Sequence, residues 1–185
     1  MPETEQPIIR GCVAGNRTSQ QELYDLFAPK LMNVCARYAK NKDESEEIMQ
    51  DGFYRIFKNI QQYNFSGSFE GWMRKIIVNT AIQRYKSTSK LHMLVPIQHE
   101  HNQIPDQIDI YSRIEANQMI QLVQQLPTRC RMVFNLYAFE GYKHREIAQI
   151  LGITEGTSKS NLYDARMILK KALLLINNYH LKMVK

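Results

Sequence analysis

Between Glu140 and Arg166 the chain places small hydroxyls, an amide and cations at helical spacing behind a tight turn. Thr157, Lys159, Ser160 and Tyr163 fall where the first two turns of a helix opened by Thr154 would carry them outward. Hydroxyls meet phosphate oxygens or base edges, and a lysine meets phosphate or guanine. Around them the pattern reads helix, turn, helix. Ala148 is small where the second helix must approach the first. Gly152 tolerates the left-handed backbone of the turn. Thr154 is a good N-cap, and Glu155 puts negative charge in the first turn. Ile147, Leu151, Ile153 and Leu162 can close the core between the two helices. This is the layout of a helix that enters the DNA major groove. The same pattern also fits an ordinary helical hairpin with a polar face.

Charge fits the first alternative and equally fits a solvated basic surface. Residues 1–112 hold 13 Lys/Arg and 13 Asp/Glu, whereas residues 113–185 hold 11 and 5, so the formal excess of +6 lies in the segment with the helix-turn-helix. A basic domain of this kind suits a polyanion. The cysteines Cys12, Cys35 and Cys130 are scattered and lack paired ligand spacing, which points to free thiols in a reducing cytoplasm and to no structural metal. His99-Glu100-His101 lies in a loop-like stretch without a third placed ligand. Neither a nucleophile–base constellation nor a phosphate-cradling glycine loop is present, so an enzyme is not expected, nor a cofactor. No secretory signal pattern opens the chain, and no apolar run approaches the ~18 residues of a membrane span.

The elements that position these residues read as helices throughout. Residues 1–18 are polar and form a loose N-terminal segment. From Ser19, Leu23, Leu26, Phe27, Leu31, Val34, Cys35 and Tyr38 recur at three- and four-residue steps, with Pro29 expected to kink or split the helix. A second helix begins at Asp43 with five acids in residues 43–51. Its apolar stripe is Ile48, Gly52, Phe53, Ile56, Phe57 and Ile60. Residues 61–68 break the period. A further helix runs from Phe69 to about Lys86, and residues 71–90 carry Arg74, Lys75, Arg84, Lys86 and Lys90 with no acid. Residues 89–111 have no clear period and read as a linker. Periodicity resumes at Ile114, Met119, Leu122, Val123 and Leu126, and Pro127 starts a helix through Val133, Phe134 and Tyr137. The predicted fold class is all-α: two small helical domains, 19–88 and 112–185, joined by a flexible linker at 89–111, the C-terminal one a helix-turn-helix.

This layout resembles an extracytoplasmic-function sigma factor of the sigma-70 family. The residues from Asp43 to Phe53 are similar to the family's D-x-x-x-A-E-D-L-V-Q-D-x-F segment. Those from Phe65 to Asn79, around Trp72, are similar to its F-x-x-W-L-x-x-I-A-x-N segment. Leu126-Pro127, Val133-Phe134 and Gly156-Thr157-Ser158-Lys159-Ser160 are similar to its C-terminal domain. The match covers nearly the whole chain, in order. The resemblance implies a subunit, not itself catalytic, that binds core RNA polymerase, recognises the −10 and −35 elements of promoter DNA and promotes transcription initiation. It also implies a cytoplasmic protein held in check by an anti-sigma factor.

Residue by residue, it implies polymerase contacts at Glu47, Gln50, Asp51 and Tyr54. It implies a −10 surface at Asn64, Phe65, Ser68, Arg74, Lys75, Asn79, Gln83 and Arg84, where aromatics stack on unpaired bases and cations hold phosphates. It implies a −35 surface at Arg145, Glu155, Thr157, Lys159, Ser160, Asn161 and Tyr163. Phe65 and Trp72 are equally readable as core, Trp72 the more so. The chain departs from the family at Asn161 and Asp164, where members often carry Arg, and at Gln83, where many carry Asp. Asn161 could read adenine, and Asp164 could accept from a cytosine amine while repelling phosphate. About 25 linker residues can extend to ~80 Å, enough for two elements two helical turns apart, ~70 Å. Two other classes remain: a free-standing helix-turn-helix regulator whose N-terminal helices sense a ligand or dimerise, and a helical adaptor. The succession of acidic helix, aromatic loop and basic Trp helix separates the first of these from a sigma factor.

Overall fold

The computed structural model describes residues 5–92 and 116–183. These are helical throughout, apart from turns and one short 3-10 segment: α1 (Glu5–Val13), α2 (Arg17–Tyr38), α3 (Lys42–Asn59), a 3-10 turn (Ile60–Gln62), α4 (Phe69–His92), α5 (Ala116–Gln124), α6 (Thr128–Ala138), α7 (His144–Leu151) and α8 (Glu155–Met183). They fall into two compact units, Met1–Tyr85 and Lys86–Lys185, so the all-α class with two small units is as expected. Most of the predicted linker at 89–111, including His99 to His101, lies outside the described residues.

In the first unit the described part of the N-terminal segment, from Glu5, is helical and packed. Ile9 and Cys12 of α1 are buried, one helical turn apart, and α1 packs on α2. Gly11 lets the two helices close, since a Cβ there would overlap the Ser19 hydroxyl. Gly15 takes φ +77° in the connecting turn, a backbone that glycine adopts without steric cost. Asn16 then caps α2 by accepting from Ser19 N at 3.1 Å.

Pro29 does not split α2, which runs without interruption from Arg17 to Tyr38. The proline costs about 3 kcal/mol in a helix interior. Against it stand the buried Leu23, Phe27, Leu31, Val34, Cys35 and Tyr38, each worth ~1.5–3 kcal/mol for the larger apolar side chains, while Pro29 itself is exposed. The next cap is Asn41: its Oδ1 accepts from Glu44 N at 2.9 Å, and α3 starts at Lys42, one residue before the predicted Asp43. Gly52 is buried against Ile77 of α4, where any Cβ would meet Ile77 Cδ1.

In the second unit, Leu122, Val123 and Leu126 of the α5 region, Cys130 of α6 and Ala165, Leu169 and Ile176 of α8 form one apolar cluster with Phe134, Ala172 and Leu173. Arg131 is buried with it. Its Nη1 donates to the Gln124 carbonyl at 2.6 Å and the Leu126 carbonyl at 3.1 Å, groups that the end of α5 leaves unsatisfied. α7 and α8 form the helix-turn-helix, with Gly152 at φ +68° closing α7.

Candidate nucleic-acid interface

The second helix of the motif is set by its cap. Thr154 Oγ1 accepts from Thr157 N at 3.1 Å, and α8 begins at Glu155. Ser158, Leu162, Ala165 and Leu169 are buried at steps of three and four, so the residues between them point away from the core. Lys159, Ser160, Tyr163 and Asp164 are exposed, as is Arg145 on α7; Tyr163 keeps 65% of its surface. Glu155 and Lys159 pair at 2.8 Å one turn apart. The hydrogen bond from Lys159, followed by its charge, holds the Glu155 carboxyl below its ordinary range. Ser160 Oγ donates to the Thr157 carbonyl at 3.1 Å.

Two of the predicted −35 residues are placed differently from the rest. Thr157 is half-buried, and its hydroxyl lies 2.8 Å from that of Thr154, inside the cap. Asn161 is also half-buried, and its Oδ1 accepts from the Cys130 thiol of α6 at 3.7 Å. Asn161 stands three residues after the buried Ser158 and one before the buried Leu162, which turns it toward α6 and away from the outward set. Two residues outside the predicted sets, His144 and Ser158, meet side chain to side chain at 2.9 Å across the motif. A serine in an otherwise apolar buried register was the available signal.

In the first unit the loop before α4 is an aromatic corner. Tyr63, Phe69 and Trp72 pack together, with ring centroids 4.8 Å (Tyr63–Phe69), 5.6 Å (Tyr63–Trp72) and 5.5 Å (Phe69–Trp72) apart. Tyr63 Oη donates to the Gly67 carbonyl at 2.9 Å, which ties the loop back on itself. Trp72 is half-buried in this packing, the core role favoured for it. Phe65 leans on Tyr63 at 5.3 Å yet stays 43% exposed, at φ +58°. A bulky residue in the left-handed region is rare. Asn64 Oδ1 accepts from Ser66 N, and Ser68 Oγ accepts from Gly71 N at 3.2 Å, opening α4.

Lys75, Asn79 and Gln83 follow at four-residue steps and are exposed, whereas Arg74 is half-buried. Gln83 Oε1 accepts from Arg55 Nη1 of α3. Arg84 donates to Glu47 Oε2 and, at 2.7 Å, to Asp51 Oδ2, both on α3. The resemblance assigns Arg84 to the −10 group and Glu47 and Asp51 to the polymerase group. The structure joins Arg84 of the first to Glu47 and Asp51 of the second in one polar seam between α3 and α4. Gln50 and Tyr54 remain outward, Tyr54 at 67% exposure.

Cys12, Cys35 and Cys130 are free and buried. Burial pushes the thiol of Cys12 up to about 11 and that of Cys35 to about 12, and raises that of Cys130. Among the described residues, no cluster of His, Cys, Asp and Glu could hold a metal ion, and no helix is long and apolar enough to cross a membrane.

Residues 23–91 match the family model for sigma-70 region 2, and residues 116–169 match that for sigma-70 region 4. The chain is 27% identical over 158 residues to the ECF RNA polymerase sigma factor SigE of Mycolicibacterium smegmatis, covering 82% of this chain and 60% of that protein. It is 25% identical over 180 residues to the ECF RNA polymerase sigma factor SigW of Bacillus subtilis, covering 89% of this chain and 94% of that one. It is 22% identical over 188 residues to the RNA polymerase sigma-H factor of Pseudomonas aeruginosa, covering 92% and 94%. The fold is similar to that of the sigma factor RpoE of Bartonella quintana, solved in complex with the anti-sigma factor NepR, with a TM-score of 0.51 at 18% identity over 83% of this chain and 95% of that one. With the region 2 match on the aromatic corner and α4, and the region 4 match on the capped helix-turn-helix, the chain belongs to the sigma-70 family, among the extracytoplasmic-function RNA polymerase sigma factors.

Proposed function

We propose that this sigma factor divides promoter recognition between its two units as follows. The exposed face of α8, through Lys159, Ser160 and Tyr163 with Arg145 from α7, reads the −35 element as duplex. Glu155 tunes Lys159 by holding it until a phosphate or base competes. Thr157 and Asn161 act in support, one by capping the helix and the other by seating it on α6. In the first unit, Phe65 offers an aromatic face to an unpaired −10 base. Lys75 and Asn79, with Asn64 and Ser68 at the loop, follow the nontemplate strand; Arg74, Gln83 and Arg84 line the side of this surface toward α3. Gln50 and Tyr54, with Glu47 and Asp51, meet core polymerase.

The observation that carries this reading is Phe65, a large aromatic held outward in left-handed backbone at the edge of a packed aromatic corner. Stacking on an aromatic is worth ~1–3 kcal/mol per base, enough to favour an opened strand over a closed one. The protein works in the cytoplasm as a specificity subunit and has no catalytic step of its own. An anti-sigma factor that covers these surfaces is its expected regulator, as NepR is the partner of RpoE in the Bartonella complex.

The test is transcription by purified core polymerase on a promoter library, with and without the protein. Promoter-specific stimulation is expected. Asn79→Ala should impair strand opening more than duplex binding, and Lys159→Ala should weaken −35 duplex binding. Tight DNA binding without stimulation would instead identify a free regulator. Equal effects of the two substitutions on duplex affinity would overturn the division of labour.

A further inference from the structure

We infer that His144 and Ser158 are positioning residues: their hydrogen bond sets the angle at which α8 is presented to the −35 duplex. Ser158 is fully buried, at 0% exposure, at the end of the first turn of the recognition helix. Its Oγ lies 2.9 Å from Nδ1 of His144, the first residue of α7. Either tautomer keeps this bond, with the serine hydroxyl donating to a bare Nδ1 or accepting from a protonated one.

The placement of the bond is what gives it leverage. α7 and α8 are already pinned at the turn, where Ile153 N donates to the Ala148 carbonyl at 3.1 Å. His144 lies at the opposite end of α7, ~10 Å from that turn at 1.5 Å per residue, and Ser158 lies ~6 Å along α8. A vertex and one fixed distance across two arms determine the angle between them. Lengthening that third side by ~1 Å would open the angle by about 10° and carry Tyr163 sideways by roughly 2 Å on the same helical rise. A base-edge hydrogen bond does not survive such a displacement.

The anchor is itself held. The His144 ring stacks on Tyr137 of α6, with centroids 4.9 Å apart and planes 24° from parallel. The Arg166 guanidinium of α8 packs over the same tyrosine at 5.5 Å. At the start of α7, Glu146 Oε2 accepts from Lys143 N at 2.7 Å, so the residue that carries the imidazole sits on a capped end. Three helices therefore converge on one polar contact inside an apolar motif, where a pair of apolar side chains would have packed without directional constraint.

The inference rests on the reading of α8 as the −35 helix, and the experiment keeps the two apart. Holoenzyme reconstituted from core polymerase and the full chain is ranked on a library of −35 sequences with the −10 element held constant. Ser158→Ala, and His144→Phe (which retains a ring against Tyr137), are each expected to lower activity on the preferred −35 sequence at least fivefold and to flatten the ranking. The −10 preference and the helical content by circular dichroism should stay unchanged. His144→Asn places an amide where Nδ1 stood and is expected to restore most of the ranking. An unchanged ranking in Ser158→Ala or His144→Phe overturns the inference, as does an Asn variant that behaves like the Phe variant. If Lys159→Ala also leaves the ranking unchanged, the reading of α8 fails with it; if Lys159→Ala alters the ranking, only the positioning role is lost.

Discussion

Arg84 on α4 sets its Nη1 2.7 Å from Oδ2 of Asp51 on α3, so a cation proposed to face nucleic acid rests against an acid proposed to meet polymerase. With Glu47 on the same guanidinium, the seam joins the two surfaces the first unit is proposed to use. Whatever binds one of them acts on the charge balance of the other.

The side chains of Arg84 and Asp51 keep 33% and 49% of their surface, and pairs this open to water contribute 0–1 kcal/mol. Asp51→Asn is therefore expected to shift unfolding stability by less than about 1 kcal/mol in a denaturant titration. Its affinity for core polymerase, read by fluorescence anisotropy, should fall roughly tenfold, or about 1.4 kcal/mol. A stability loss large enough to account for the lost affinity would mean that the seam is structural.

Phe65 stands at φ +58°, where a non-glycine residue stores ~1–3 kcal/mol of strain. Phe65→Gly relieves that strain and forfeits the contact with Tyr63, worth ~0.5–1.5 kcal/mol. The expected result is a melting temperature equal to or above that of the parent, together with at least a tenfold loss of open-complex formation in a permanganate or fluorescence assay. Parental opening by the glycine variant would remove Phe65 from the −10 surface.

Thr154 closes the first turn of α8 through the Thr157 amide. Thr154→Ala should cost about 1 kcal/mol and loosen the turn that carries Glu155 and Lys159, weakening −35 duplex binding in a gel-shift titration. Thr154→Ser retains the acceptor oxygen and should retain the affinity.

The buried thiols make the fold sensitive to alkali. In the folded chain Cys12 and Cys35 ionise near 11 and 12, against an ordinary thiol value of 9.0. Their folded values are raised, so the stability linked to them is complete below pH 9 and is lost as pH rises toward their folded values. Above about pH 9 the denaturation midpoint should decline more steeply in the parent than in a Cys12→Ala/Cys35→Ala variant. In the native state near neutral pH, iodoacetamide should modify these thiols only slowly, because the reactive thiolate is scarce and enclosed.

Much of the fold was legible because its signals are local. Periodicity marked the helical runs later found as α2, α3, α4 and α8. The cap at Thr154 and the glycine at 152 marked the turn of the motif, since each satisfies a requirement of its own few residues. The first helix is not legible in the sequence because Ile9 and Cys12 offer only one turn of apolar spacing, too short to stand out until α2 supplies a surface for them. Pro29 misled in the other direction: its local penalty is real, but the burial that outweighs it involves partners far along the chain. In the same way Asn161 is one more polar residue of a helix taken alone, and only the fold sets it beside Cys130 of α6.

The sequence by itself determined the all-helical class, the order of the elements after α1, the basic character of the second unit and the outward positions Lys159, Ser160 and Tyr163, though not the half-buried Thr157, because helix period and capping are properties of neighbouring residues. Only the tertiary structure decided which polar groups face one another. Arg84 meets Asp51, His144 meets Ser158, and Phe65 is held outside the aromatic corner, because each of these depends on the distance between elements that the linear spacing of residues does not encode.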